Sequence, residues 1–67
     1  MTMVPNYYEV TTRRADQPRA LPQKIAQFGD NPRDAERRAC ARQAAFYLGG
    51  EEYAHLWTAE CHGLVYP

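Results

Sequence analysis

The stretch from Gly29 to Gly50, GDNPRDAERRACARQAAFYLGG, constrains the fold more than any other part of the chain. Asn31 is a good helix cap, because its side chain accepts a bond from a free backbone N–H. Pro32 suits the first helical position, where the missing N–H has no partner to lose. Asp34 and Glu36 favour the positive end of the helix dipole, and Asp34 pairs with Arg38 at a spacing of i,i+4. Alanines fill the middle with the best helix former. Gly49 and Gly50 supply a left-handed stop. The pattern predicts one helix over Pro32–Leu48.

A helix of this kind needs a layer to cover. NYYEVTTRR, starting at Asn6, is rich in Tyr, Val and Thr and reads as a strand. Tyr8, Val10 and Thr12 share one face, and Tyr7, Glu9 and Thr11 the other. Tyr8 and Val10 are expected inward. ADQPRALP, with its two prolines, is a loop. QKIAQFG fits either a helix, with Leu21, Ile25 and Phe28 at helical spacing, or a second strand. The strand makes the more compact order. The expectation is one small α+β domain over residues 1–67, an antiparallel sheet with one main helix in the order ββαβ, with βααβ as the alternative.

Two stripes appear on the helical wheel. Ala35, Ala39 and Phe46 form one; Cys40, Ala44, Tyr47 and Leu48 form the other. Arg38 and Arg42 lie opposite Tyr47 and Cys40. After the helix, EYAHLWTAE alternates as a final strand. Tyr53, His55, Trp57 and Ala59 then face one way, and Ala54, Leu56 and Thr58 the other. Leu56 is expected under the helix and Trp57 toward solvent; the reversed register puts Trp57 in the core. His62-Gly63 is read as a turn into a short return strand, LVY.

Size bounds the function. A chain of 67 residues buries only about 60% of its unfolded surface. A single core of this length supplies about 3–5 kcal/mol. Little chain remains for a preorganised catalytic pocket with its supporting shell. Mean hydropathy is −0.69 and no long apolar run occurs, so no membrane span is expected. MTMVPNYYEV lacks a basic region followed by an apolar stretch, so a cytoplasmic location is the default expectation.

Net charge is zero but unevenly spread. Residues 1–42 hold eight bases and five acids, and residues 43–67 hold Glu51, Glu52 and Glu60 alone, a balance of +3 against −3. A phosphate binder is normally basic overall. Cys40, His55, Cys61 and His62 are zinc-ligand types, but the single close pair, Cys61-His62, points to opposite faces of a strand. No metal or cofactor is expected. Cys40 reads as a small core residue and Cys61 as more exposed, both reduced. No phosphate loop, nucleophile motif or carboxylate pair accompanies His55 or Glu60, so catalysis is not expected.

Two features remain. Arg33, Arg37, Arg38 and Arg42 read first as a solvated helix face balanced by Asp34 and Glu36, and second as a contact for phosphate or an acidic surface. Five Tyr, two Phe and one Trp are too many for so small a core to hide. Tyr, Trp and Arg dominate binding hot spots. Trp57, Tyr53, His55, Arg38 and Arg42 are therefore the candidate partner-binding residues.

The order of strands and helix, with F-G-D-N-P-x-D-A-E leading into the helix, resembles ββαβ antitoxin domains of the HicB type over residues 6–57. The Gly- and Pro-rich strand segment of that type is missing here, so toxin neutralisation is not implied. In size and Arg/Ala-rich composition the chain is also similar to small phage-encoded inhibitors of the anti-CRISPR type. That resemblance implies a protein that binds a host surface and blocks it. The expectation is a non-catalytic interaction module inhibiting a larger protein or nucleoprotein complex. The alternative is a small nucleic-acid-binding regulator using the helix arginines. Self-association into a homodimer stays open.

Overall fold

The computed structural model describes residues 6–64. Strand β1 spans Asn6–Arg14 and strand β2 Gln23–Gly29. Helix α1 follows over Pro32–Leu48, then a 3₁₀ segment over Glu51–Leu56 and strand β3 over Trp57–Leu64. The sheet has three strands in the order β2-β1-β3, both pairings antiparallel. The α+β class, the helix bounds and the strand reading of QKIAQFG are as expected from the sequence.

The caps act as their chemistry requires. Asn31 Oδ1 accepts from the Asp34 N–H at 2.8 Å, and Gly49 closes the helix at φ 79°. Gly50 departs from expectation: its φ of −165° is extended, so one glycine makes the stop.

The core lies between α1 and the inner face of the sheet. Tyr8, Val10 and Thr12 of β1 are buried there beneath Ala35, Ala39, Cys40, Gln43 and Ala44. Alanine side chains end at Cβ, so the helix backbone settles close on the central strand. Ile25, Ala59 and Cys61 pack at the margins. Buried Gln43 donates from Nε2 to Thr12 Oγ1 at 3.3 Å and to Gln23 Oε1 at 3.0 Å. The opposite face of the sheet, with Tyr7, Glu9 and Thr11, carries no second layer among the described residues. Arg13, near the end of β1, lines both a groove with Thr58 and Glu60 and a groove with Tyr47 and Trp57. No described helix is long and apolar enough to cross a membrane.

The C-terminal third differs from expectation. Residues 51–56 form the 3₁₀ segment, not a strand. Glu, Ala and Leu are helix formers, and the extended Gly50 lets its carbonyl receive the Tyr53 N–H at 3.3 Å. Pairing begins at Trp57, opposite Arg14, and the register is the reversed one. Trp57, Ala59 and Cys61 turn toward the helix, and Thr58, Glu60 and His62 away. Leu56 sits at the junction, its carbonyl accepting from the Ala15 N–H at 2.8 Å. His62-Gly63 is not a turn. Gly63, at φ 90°, lies where the β1–β3 register shifts between Tyr8 and Val10, a bulge within the strand. The proposed return strand falls on Val65–Pro67, outside the described residues.

Candidate interaction surface

Four large apolar side chains meet where α1 ends and β2 and β3 begin. Leu21 and Phe46 are 87% and 78% exposed. Tyr47 is half exposed; its ring lies 5.6 Å from that of Trp57 at 33°, and Phe46 meets it edge-on at 4.8 Å. Phe46 thus leaves the buried stripe expected for it. It borders the edge strand β2, where solvent replaces the sheet.

Tyr47 is the hinge of this surface, and the core positions it. Its hydroxyl accepts from Gln23 Nε2 at 2.9 Å, and Gln23 in turn accepts from buried Gln43. A chain of polar contacts therefore runs from Thr12 in the core to the Tyr47 hydroxyl at the surface. Tyr47 and Gln23 form the wall between two grooves. One is lined by Arg13, Arg14, Gln17, Ala20, Leu21 and Trp57. The other is lined by Lys24, Ile25, Ala26, Arg42 and Phe46. The first holds ≈ 200 Å³, below the roughly 300–1,000 Å³ of pockets that enclose a small ligand. It suits a side chain of a partner.

The charged side chains that line the two grooves are all basic, and two of them pair with carboxylates just outside. Arg13, Arg14, Lys24 and Arg42 line the two grooves, and no carboxylate does. Arg14 is engaged by Asp16, Nε to Oδ1 at 2.9 Å, and that contact holds the Asp16 carboxyl below its ordinary range. Lys24 reaches Glu9 at 3.4 Å. Arg13 donates to the Pro18 carbonyl at 3.4 Å. Neither Arg13 nor Arg42 has a carboxylate partner among the described residues.

The sequence-derived candidates divide. Trp57 and Arg42 are brought to the two sides of Tyr47. Trp57 is half-buried, its Nε1 enclosed without a partner and its carbonyl accepting from the Cys40 thiol at 3.8 Å. It is therefore part of the fold as well as of the surface. Tyr53 and His55 are exposed on the 51–56 segment and do not share a strand face with Trp57; His55 Nδ1 lies 3.0 Å from the Glu52 carbonyl. Arg38 is tied down, donating to the Phe28 carbonyl at 2.8 Å and pairing with Asp34 at 3.1 Å. The arginine cluster also splits. Arg38 and Arg42 flank β2, whereas Arg33 and Arg37 border a groove with Trp57 and Ala59 of β3.

Leu21, Phe46 and Tyr47 were read from the sequence as parts of apolar stripes, not as contact residues. The available signal was an aromatic pair in the last helical turn, just where small residues give out. Cys40 and Cys61 are both free thiols. Burial, reinforced by Glu36, pushes the Cys40 thiol above its ordinary value, so it is a poor nucleophile. Among the described residues, no three His, Cys, Asp or Glu side chains gather as a metal-binding group. Comparison with protein-family models, curated proteins and solved structures finds no match.

Proposed function

We propose that this chain is a non-catalytic interaction module that binds a larger protein or nucleoprotein complex and blocks it. The observation that carries this reading is the exposed cluster of Leu21, Phe46 and Tyr47 beside Trp57. The buried core is Tyr8, Val10, Cys40 and three alanines, while Leu21 and Phe46, the most exposed of the described large apolar side chains, stand in water at one end. Exposed apolar clusters of this kind, rimmed by polar groups, mark contact surfaces. Aromatic and arginine side chains supply the anchors.

Affinity capture from a bacterial lysate tests it, comparing the wild-type chain with a Leu21→Ser/Phe46→Ser variant. Both side chains are mostly exposed, so the variant folds. A partner captured by the wild type and lost with the variant supports the reading. Equal capture by both removes this surface from the interaction.

A second reading, a nucleic-acid-binding regulator, is favoured by the free guanidinium of Arg42 and by Arg33, which also has no carboxylate partner among the described residues. Phosphate binding weakens steeply with salt because counterions are released. An apolar contact keeps its affinity, so a salt titration separates the two.

A further inference from the structure

We propose that the two grooves meeting at Tyr47 take an acidic peptide segment of a protein partner. One large apolar side chain enters between Leu21 and Trp57, and carboxylates on either side of it meet Arg13 and Arg42. This inference rests on the interaction-module reading and adds the chemistry of the partner.

Three observations carry it. Of the four bases that line the grooves, Arg14 and Lys24 are paired with Asp16 and Glu9, and the charge of Arg13 and Arg42 is left to favour an anion. The two groove-lining bases without a carboxylate partner among the described residues are both arginines, one on each side, and a guanidinium presents a planar fork that matches a carboxylate bidentately. Between them the groove walls are apolar, from Leu21, Ala20 and the Trp57 ring, so the occupant needs an apolar side chain as well as charge.

The rings argue for a peptide over a nucleic acid. Single-stranded nucleic acids bind by stacking bases on open aromatic faces. Here Tyr47 and Trp57 lie against each other, and the edge of Phe46 meets Tyr47. The Tyr47 and Trp57 faces turned to one another are closed to a base, which leaves Phe46 as the one well-exposed ring of the cluster and no row of platforms for successive bases. The remaining exposed aliphatic, Leu21, offers no stacking surface.

The test uses three fluorescein-labelled probes on the full chain, read by anisotropy. The first is a Gly-Ser-flanked peptide with Asp-Glu-Phe-Glu-Asp at its centre. The second replaces its acids by Asn and Gln, and the third is oligothymidylate of equal charge. Quenching or shift of Trp57 emission, the single tryptophan of the chain, reports occupancy of the groove beside it. The acidic peptide is expected to bind saturably, and the neutral peptide and the oligonucleotide at least about tenfold more weakly. Arg13→Gln/Arg42→Gln is expected to remove the difference between the two peptides, and Leu21→Ser to weaken both. Equal binding of the two peptides, tighter binding of the oligonucleotide, or no binding of the acidic peptide overturns the proposal. If lysate capture still depends on Leu21 and Phe46 in that event, only the partner's chemistry is wrong. If capture is independent of them, the interaction surface itself is wrong.

Discussion

Gln43 shows how one residue links core and surface. It is a buried amide whose two donated bonds end on Thr12 and Gln23, and Gln23 passes the constraint to the Tyr47 hydroxyl. Gln43→Leu keeps the volume but leaves Thr12 and Gln23 to find other partners. A buried polar group left unpaired costs about 1–3 kcal/mol. The expected outcome is a destabilisation in that range by chemical denaturation, with altered Trp57 emission as the Tyr47 ring loses its tether. The two thiols differ in the same local way. Cys40 is buried, with its thiol pushed above the ordinary value of 9.0, whereas Cys61 is partly exposed. A maleimide at neutral pH is expected to label Cys61 first in the native protein, as mass mapping would show; preferential labelling of Cys40 would refute its burial. Because the folded Cys40 holds its proton more tightly than the unfolded one, its contribution to stability is complete below the unfolded value and is lost as pH rises from there through the raised folded value. Cys40→Ala should therefore flatten the alkaline decline in stability.

Element by element, local chemistry decided what was legible. Helix α1 was readable because Asn31, Pro32 and Gly49 act within a few residues of their own positions. Asn31→Ala is expected to lower stability by about 1 kcal/mol through loss of the bond to the Asp34 N–H; an unchanged denaturation midpoint would contradict the cap. Strand β1 was readable because Tyr8 and Val10 alternate with polar residues; β2 was open between helix and strand, and the compact order of elements favoured the strand. The segment after α1 was not. EYAHL alternates as a strand would, yet its composition is also that of a helical turn, and the extended Gly50 decided between them. That choice moved the start of β3 to Trp57 and reversed every side chain after it. Arg38 shows a tertiary bond invisible in sequence: it joins α1 to the Phe28 carbonyl of β2. Arg38→Ala is therefore expected to destabilise the fold by about 1–2 kcal/mol, while Arg42→Ala leaves the melting temperature unchanged.

Across the whole molecule, the chain folds as one helix on one face of a three-stranded sheet, with a core in which helix alanines pack on Tyr8 and Val10. The excess of aromatics read from composition reappears in part as a cluster at one end, around Tyr47. Composition foretold that some aromatics would be exposed, but not which ones. Position depended on where α1 outruns β2 and on the register of β3, both set by contacts distant in sequence. Of the expected contact residues, Trp57 and Arg42 reach this end, Tyr53 and His55 lie on the 51–56 segment, and Arg38 serves the fold. The claim that this end is the contact surface is tested most directly by site-specific photo-crosslinking in bacterial cells. A photoreactive amino acid is placed at Leu21 in one variant and at Glu60, on the uncovered face of the sheet, in another. The account predicts a discrete higher-mass adduct from position 21 and none from position 60. An adduct from position 60 with none from position 21 would contradict it.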